Sequence, residues 1–130
     1  MVGSLSRLSV LGIIEKITLF MDVTYVNPEE SSGLLWDYPD LPEKISILSS
    51  NSNGETSQLF NDKKHSFFTY SLLKGLSGNA DDGDNIIDLG EVTEYVYKSV
   101  PESIRNQPGS LRQNPKFNGL DLKRILLDLR

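Results

Sequence analysis

KITLFMD, residues 16–22, is a compact run of apolar, strand-forming residues that ends in a carboxylate. The run is too short for a stable helix, so it predicts a buried β-strand. ISILSS, residues 45–50, has the same character and becomes small and polar at its end. If the two strands are parallel, their polar ends lie on one side of a sheet, where α/β proteins place their sites.

A helix is predicted over HSFFTYSLLKGLSG, residues 65–78, because Phe68, Leu72 and Leu76 fall on one face. Its candidate boundary residues are Asn61 or Asp62 at the start and Gly75 or Gly78 at the end. A second helix is predicted over residues 88–100, with Asp88 and Glu91 at capping-box spacing. Its apolar stripe consists of Val92, Val96 and Val100.

A strand, a helix and a further apolar strand follow one another along the chain. This order predicts a parallel crossover and therefore an α/β domain with a mostly parallel sheet. Residues 101–115 are expected to add a turn of helix and a loop, and LKRILLDL, residues 122–129, a last strand or helix. Residues 1–15 are predicted to be irregular, with a short helix over 4–13 that Gly12 interrupts. Residues 26–44 are proline-rich and acidic and predict a long loop, a kind that is usually functional or cleavable.

Composition narrows the classes of function. The net charge of -5 argues against nucleic acid and anionic membranes as partners, because clustered Lys and Arg carry phosphate binding. The chain has no cysteine, so it has no disulfide, no thiolate zinc site and no cysteine nucleophile. We recognise no secretory signal and no apolar run long enough to span a membrane, and we expect a cytoplasmic location.

The arrangement of four stretches is the most specific feature of the chain. In order they are KITLFMDVTY (16–25), ISILSS with NGETS (45–57), the stretch 63–96, and QNPKFNG (113–119). This order resembles the C-terminal half of a caspase-like domain of the metacaspase and bacterial caspase-homologue type. The resemblance covers residues 13–128 and is most specific over 65–97. It implies a three-layer α/β fold with a mostly parallel sheet and flanking helices, whose N-terminal half is missing, so that residues 1–130 form a single partial domain.

Catalysis in that family uses a cysteine thiolate and a histidine from an earlier strand. Thr24 stands at the position of the nucleophilic cysteine, and a threonine hydroxyl is nearly inert without a strong adjacent base. The part of the family domain that carries the catalytic His-Gly has no counterpart in this sequence. His65 is the only histidine, and it matches a helix-start position rather than the catalytic one. We therefore expect a degenerate, catalytically inactive domain, a pseudopeptidase or an interaction module.

Three residues are candidates for substrate binding. The resemblance aligns Asp22 with a family aspartate that helps to form an acidic pocket for an Arg or Lys side chain. Ser49 and Ser50 are expected on the rim of the same cleft, so that a basic peptide is a possible partner. The alternative for Asp22 is that a carboxylate at a strand end caps a neighbouring backbone group.

Residues 79–91, NADDGDNIIDLGE, permit a calcium hypothesis. Asp82, Asp84 and Glu91 match the third, fifth and twelfth positions of an EF-hand loop. Ala80 at the first position and Asn85 in place of the turn glycine depart from that pattern. The alternative is an acidic turn whose Asp88 and Glu91 cap the next helix, in which case the chain holds no metal or other cofactor.

The missing half of the sheet would leave the strand over 16–22 as an open apolar edge. Such edges pair with other chains, so we expect a homo-oligomer or a partner chain that completes the sheet. Two rival functions stay open at this point. One is the smaller part of a two-chain endopeptidase that cleaves after Arg or Lys with a histidine from another chain, and the other is a weak calcium-binding module.

Overall fold

The computed structural model describes residues 16–22, 43–52, 54–107, 109 and 111–130. The strands in this part of the chain are β1 (Ile17–Met21), β2 (Ile45–Ser49), β3 (Leu59–Phe60), β4 (His65–Ser66), β5 (Ile86–Asp88), β6 (Lys116–Asn118) and β7 (Ile125–Asp128). The α-helices are α1 (Phe67–Lys74) and α2 (Leu89–Arg105). The predicted helix over 4–13, most of the predicted loop over 26–44, and Thr24 lie outside the described residues.

The central sheet has the strand order β1-β2-β6. β1 and β2 are parallel, in a register that runs from Ile17 opposite Ile45 to Met21 opposite Ser49. β6 pairs antiparallel with the other edge of β2. The prediction of a mostly parallel sheet is therefore wrong, because the described sheets are mixed. The stretch QNPKFNG was predicted only as one of the four stretches that resemble the family. In the structure its residues Lys116–Asn118 form β6, the antiparallel strand of the sheet.

The sequence predicted that β5 joins this sheet by a parallel crossover, and that prediction is wrong. β5 pairs antiparallel with β7 in a separate two-stranded sheet. Two backbone bonds extend that pairing, from Leu129 N to Asn85 O at 2.8 Å and from Leu89 N to Arg124 O at 2.8 Å. The last apolar segment of the chain thus satisfies the backbone of β5, while Ile87 stays fully buried in the core. The prediction of a final strand or helix over 122–129 resolves to a strand.

α1 begins at Phe67, two residues after the predicted start, because His65 and Ser66 pair with Leu59 and Phe60 in a small hairpin. Ser66 is the N-cap, and its Oγ accepts a hydrogen bond from Thr69 N at 2.9 Å. The predicted caps Asn61 and Asp62 lie in a 3₁₀ turn, Asn61–Lys63, instead. The predicted apolar face is confirmed, since Phe68 and Leu72 are buried and Leu76 packs against the same core.

α2 begins as predicted. Asp88 and Glu91 form a reciprocal capping box, with Glu91 N donating to Asp88 Oδ1 at 2.8 Å and Asp88 N donating to Glu91 Oε1 at 3.1 Å. The helix continues through Pro101 to Arg105, which confirms the extra turn. Its inner face joins β2, β5 and α1 in one core, whose buried members are Leu48, Phe67, Phe68, Leu72, Ile87, Val92, Val96, Val100 and Ile104. Neither described helix is long and apolar enough to cross a membrane.

Candidate functional site

The carboxyl end of β1 is built around Asp22, the residue that follows the strand. Its Oδ1 accepts a hydrogen bond from Ser57 Oγ at 2.5 Å, and its Oδ2 accepts one from Thr69 Oγ1 at 2.5 Å. Ser66 Oγ also donates to Asp22 Oδ2. We call these four residues the Asp22 cluster. The cluster joins the end of β1 to the loop before β3, to the short hairpin and to the first turn of α1.

The Asp22 carboxylate has an acceptor site that no donor among the described residues fills. An ionised carboxylate offers about four acceptor sites, two on each oxygen. Among the described residues, the hydroxyls of Ser66 and Thr69 take both sites of Oδ2, and Ser57 takes one site of Oδ1. The Asp22 residue as a whole is exposed to solvent. The described partners of Asp22 are thus side-chain hydroxyls and not the backbone group that the alternative expected, and the acceptor site left on Oδ1 suits a basic ligand.

Ser49 and Ser50 follow the line of β2 to the same end of the sheet, but both are buried, with 2% and 0% of their surface exposed. Ser49 Oγ has no hydrogen-bond partner among the described residues. Ser50 N donates to Met21 O at 2.8 Å, and its Oγ donates to Asn51 Oδ1 at 2.6 Å. Of the three predicted substrate-binding residues, only Asp22 presents its side chain to solvent.

A buried polar network continues from Ser50 and was missed by the sequence analysis. Gln113 Nε2 donates to Ser50 O at 2.8 Å, and Gln113 Oε1 accepts from Gln58 N at 2.9 Å. Asn51 Nδ2 donates to Glu55 O at 2.5 Å. These bonds pin the loop after β2 to the segment before β6. The signal was weak, because the partners lie about sixty positions apart in a polar stretch without periodicity.

His65 is exposed and lies in β4 directly before Ser66. Neighbouring side chains of a strand point to opposite faces. Since Ser66 points at Asp22, the imidazole of His65 points away from the Asp22 cluster. It lines a shallow surface depression together with Tyr70 and Lys74. This placement agrees with the expected surface role of His65 and leaves the cluster without an imidazole from the described residues.

A second group of carboxylates lies in residues 81–91, which we call the acidic loop. The carboxylates of Asp81, Asp82, Asp84 and Glu91 each place an oxygen within 4.8 Å of the others. Two ligands of one Ca²⁺ lie at most about 4.8 Å apart, twice a typical Ca–O distance. The spacing therefore suits a divalent cation. Asp81 was not among the predicted ligands, because the twelve-residue EF-hand register assigns the first position to Ala80.

The backbone of the acidic loop makes the sharp turn that an EF-hand makes with glycine. Asn85 adopts a left-handed φ of 62°, a conformation that asparagine tolerates better than most residues. Asp81 Oδ1 accepts from Gly83 N at 3.1 Å and from Asn85 N at 3.2 Å. Glu91 Oε2 accepts from Asp82 N at 2.9 Å. These bonds preform the loop, and they equally satisfy the alternative of an acidic turn with a helix cap.

Comparisons with known proteins add no further assignment. No protein-family model, no curated protein and no solved structure matches the chain. The likeness to caspase-like domains therefore rests on the order of the sequence stretches, and the function follows as a proposal.

Proposed function

We propose that the chain is a catalytically silent caspase-like domain that acts as an interaction module. In this proposal the β1-β2-β6 sheet and the two helices are the C-terminal part of a three-layer caspase-like fold in the cytoplasm. The observation that carries the proposal is the Asp22 cluster at the carboxyl end of β1, where the resemblance expects an acidic pocket beside the nucleophile. The parallel pairing of β1 with β2 supports it, because both strands then end at the same edge.

The chemistry of the chain supports silence. A hydroxyl at position 24 needs a base to attack an amide carbonyl, and the single histidine of the sequence points away from the Asp22 cluster. Threonine nucleophiles otherwise use their own terminal amine, which Thr24 does not have within this sequence. Binding makes no such demand. The exposed Asp22 carboxylate, whose Oδ1 accepts one hydrogen bond from the described residues, suits weak recognition of an Arg or Lys side chain.

A peptide titration tests this binding role. A fluorescein-labelled peptide with a central Arg is titrated with the pure chain, with Asp22→Asn, and with the control Asp62→Asn, which neutralises an exposed carboxylate in the 3₁₀ turn. We expect saturable anisotropy that Asp22→Asn weakens and Asp62→Asn preserves. Equal binding by all three proteins, or no binding, contradicts the assignment of Asp22. A peptide with Ala in place of Arg serves as the ligand control.

A calcium-binding function is the second candidate, and the convergence of four carboxylates in the acidic loop favours it. Asp81 would replace the missing first ligand, and Glu91 would contribute while it caps α2. Calorimetry with CaCl₂ tests this candidate. We expect a binding heat that Asp81→Asn and Asp84→Ala abolish and that Glu94→Gln, an exposed change on α2, leaves intact. Absence of binding heat in the unmodified chain contradicts calcium binding and leaves the acidic loop as a turn that caps α2.

A further inference from the structure

β1 has one unpaired edge within the described part of the chain. Ile17 N donates to Lys44 O at 2.7 Å, and Met21 O accepts from Ser50 N at 2.8 Å. In a parallel ladder alternate residues face the partner strand, so residues 17, 19 and 21 direct their backbone groups toward β2. The backbone N–H and C=O of Thr18 and Phe20 therefore point to the opposite edge. No described strand pairs with them there.

The side chains of the same strand are incompletely covered. All five residues of β1 are only half-buried, although four of them are large and apolar. Open strand edges pair readily with further strands. β1 is thus a side of the sheet to which a further strand can add.

We propose that this strand is β1 of a second copy, paired antiparallel about a two-fold axis through Leu19. The proposal deepens the proposed interaction function and rests on it. In this register Thr18 lies opposite the partner's Phe20, and the two residues exchange the backbone bonds that β2 leaves unused. The resulting sheet has the order β6-β2-β1-β1-β2-β6. A two-fold arrangement of this kind closes on itself and needs no third chain.

Charge complementarity selects this register. Lys16 and Asp22 flank β1 at opposite ends, and both are exposed. Antiparallel pairing centred on Leu19 places Lys16 directly opposite the partner's Asp22, and the reverse contact follows by symmetry. A shift by two residues in either direction leaves at least one of these charges opposite an apolar or uncharged residue. Lys16 Nζ lies 2.5 Å from Asp121 Oδ2 in the same chain, an exposed contact that competes only weakly.

The edge of β7 is a poorer candidate for the same pairing. Self-pairing of β7 that sets Arg124 against the partner's Asp128 would require the Arg124 carbonyl. That carbonyl already accepts from Leu89 N at 2.8 Å. β7 also carries a register irregularity opposite β5. β1 has neither obstacle.

A matched pair of cysteine variants tests the register, because the chain contains no native cysteine. Leu19 would face its own copy in a non-hydrogen-bonded pair, with Cα atoms about 4.5 Å apart, within disulfide reach. Ile17 lies on the same face of β1, but its copy would lie about 13 Å away, four residues along the strand, beyond disulfide reach. Mild oxidation of the folded full chain should therefore cross-link Leu19→Cys and leave Ile17→Cys monomeric on a non-reducing gel. Circular dichroism verifies that both variants are folded.

Sedimentation of the unmodified chain gives the second measurement. We expect a concentration-dependent dimer that Lys16→Glu weakens, because the new carboxylate would face the partner's Asp22. Lys98→Glu, an exposed change on α2, should leave the dimer intact. A monomer at every concentration, or equal cross-linking of the two cysteine variants, overturns the proposal. In the dimer the partner's Lys16 would compete with a basic peptide for Asp22, whereas a monomer keeps this carboxylate accessible. Such a result therefore leaves catalytic silence and peptide binding by Asp22 standing.

Discussion

Asp22 Oδ1 accepts a hydrogen bond from Ser57 Oγ at 2.5 Å, across 35 positions of sequence. The bond joins the end of β1 to the loop that follows β2. Ser57 and Ser66, two of the three donors to Asp22, are 5% and 9% exposed. Because buried hydroxyls have little access to water, the acceptor that this carboxylate provides stabilises them. Asp22 thus stabilises the sheet end that it would also offer to a ligand.

Replacement of Asp22 by alanine should lower the free energy of unfolding by about 1–3 kcal/mol, because it removes the carboxylate that accepts from three hydroxyls. Asp22→Asn should cost less, since the amide oxygen still accepts. Urea unfolding followed by circular dichroism measures both changes. Asp62→Ala, at an exposed carboxylate, is the control. An Asp22→Ala protein as stable as the control would show that the cluster contributes nothing to stability.

The capping box of α2 should behave as one unit. Asp88→Ala is expected to cost about 1 kcal/mol, the usual loss for an N-cap. The two side chains cap each other's backbone N–H groups, so the loss in the double variant Asp88→Ala/Glu91→Ala should differ from the sum of the single losses. Glu94→Ala, one turn along the same helix, supplies the surface control. Strictly additive losses would speak against the reciprocal cap.

Gly119, directly after β6, should be intolerant of a side chain. A Cβ at this position would lie 2.7 Å from Ser46 Oγ and 2.9 Å from Ser46 Cα. The backbone of Gly119 also has a positive φ, of +147°. We expect Gly119→Ala to destabilise the chain by about 1–3 kcal/mol beyond the cost of Gly54→Ala. Gly54 also has a positive φ, of +79°, but nothing lies within 4 Å of its Cβ position. Comparison of the two melting temperatures separates steric contact from backbone strain, and equal losses would contradict close packing of β6 on β2.

Local patterns predicted the elements whose signals lie within a few residues. β1, β2 and α2 were predicted because apolar runs, valine spacing and the Asp88–Glu91 cap are short-range features. The pairing of β6 with β2 was not predictable in the same way, because it joins Phe117 to Leu48 across a long intervening stretch. Pairing over such distances depends on the whole chain and leaves no local period.

The candidate sites were predictable to a similar extent. Asp22 was predicted from the apolar run that precedes it and from the resemblance to caspase-like domains, but its hydroxyl partners come from three later segments that carry no common motif. Asp81 was missed because the twelve-residue EF-hand register assigns it no ligand position. In the structure, the turn that Asn85 makes at a φ of 62° brings Asp81 close to Glu91. Small changes of loop geometry decide such ligand sets, and sequence spacing alone does not show them.

Peptide hydrolysis by the isolated chain tests the central claim of catalytic silence most directly. The pure protein and its Thr24→Ala variant are incubated with fluorogenic peptides that end in Arg or Lys before the reporter group. We predict that both release the fluorophore at the rate of a buffer blank, because a threonine hydroxyl is nearly inert without a base and the single histidine of the sequence, His65, points away from the Asp22 cluster. Turnover by the unmodified chain that disappears in Thr24→Ala would contradict the account.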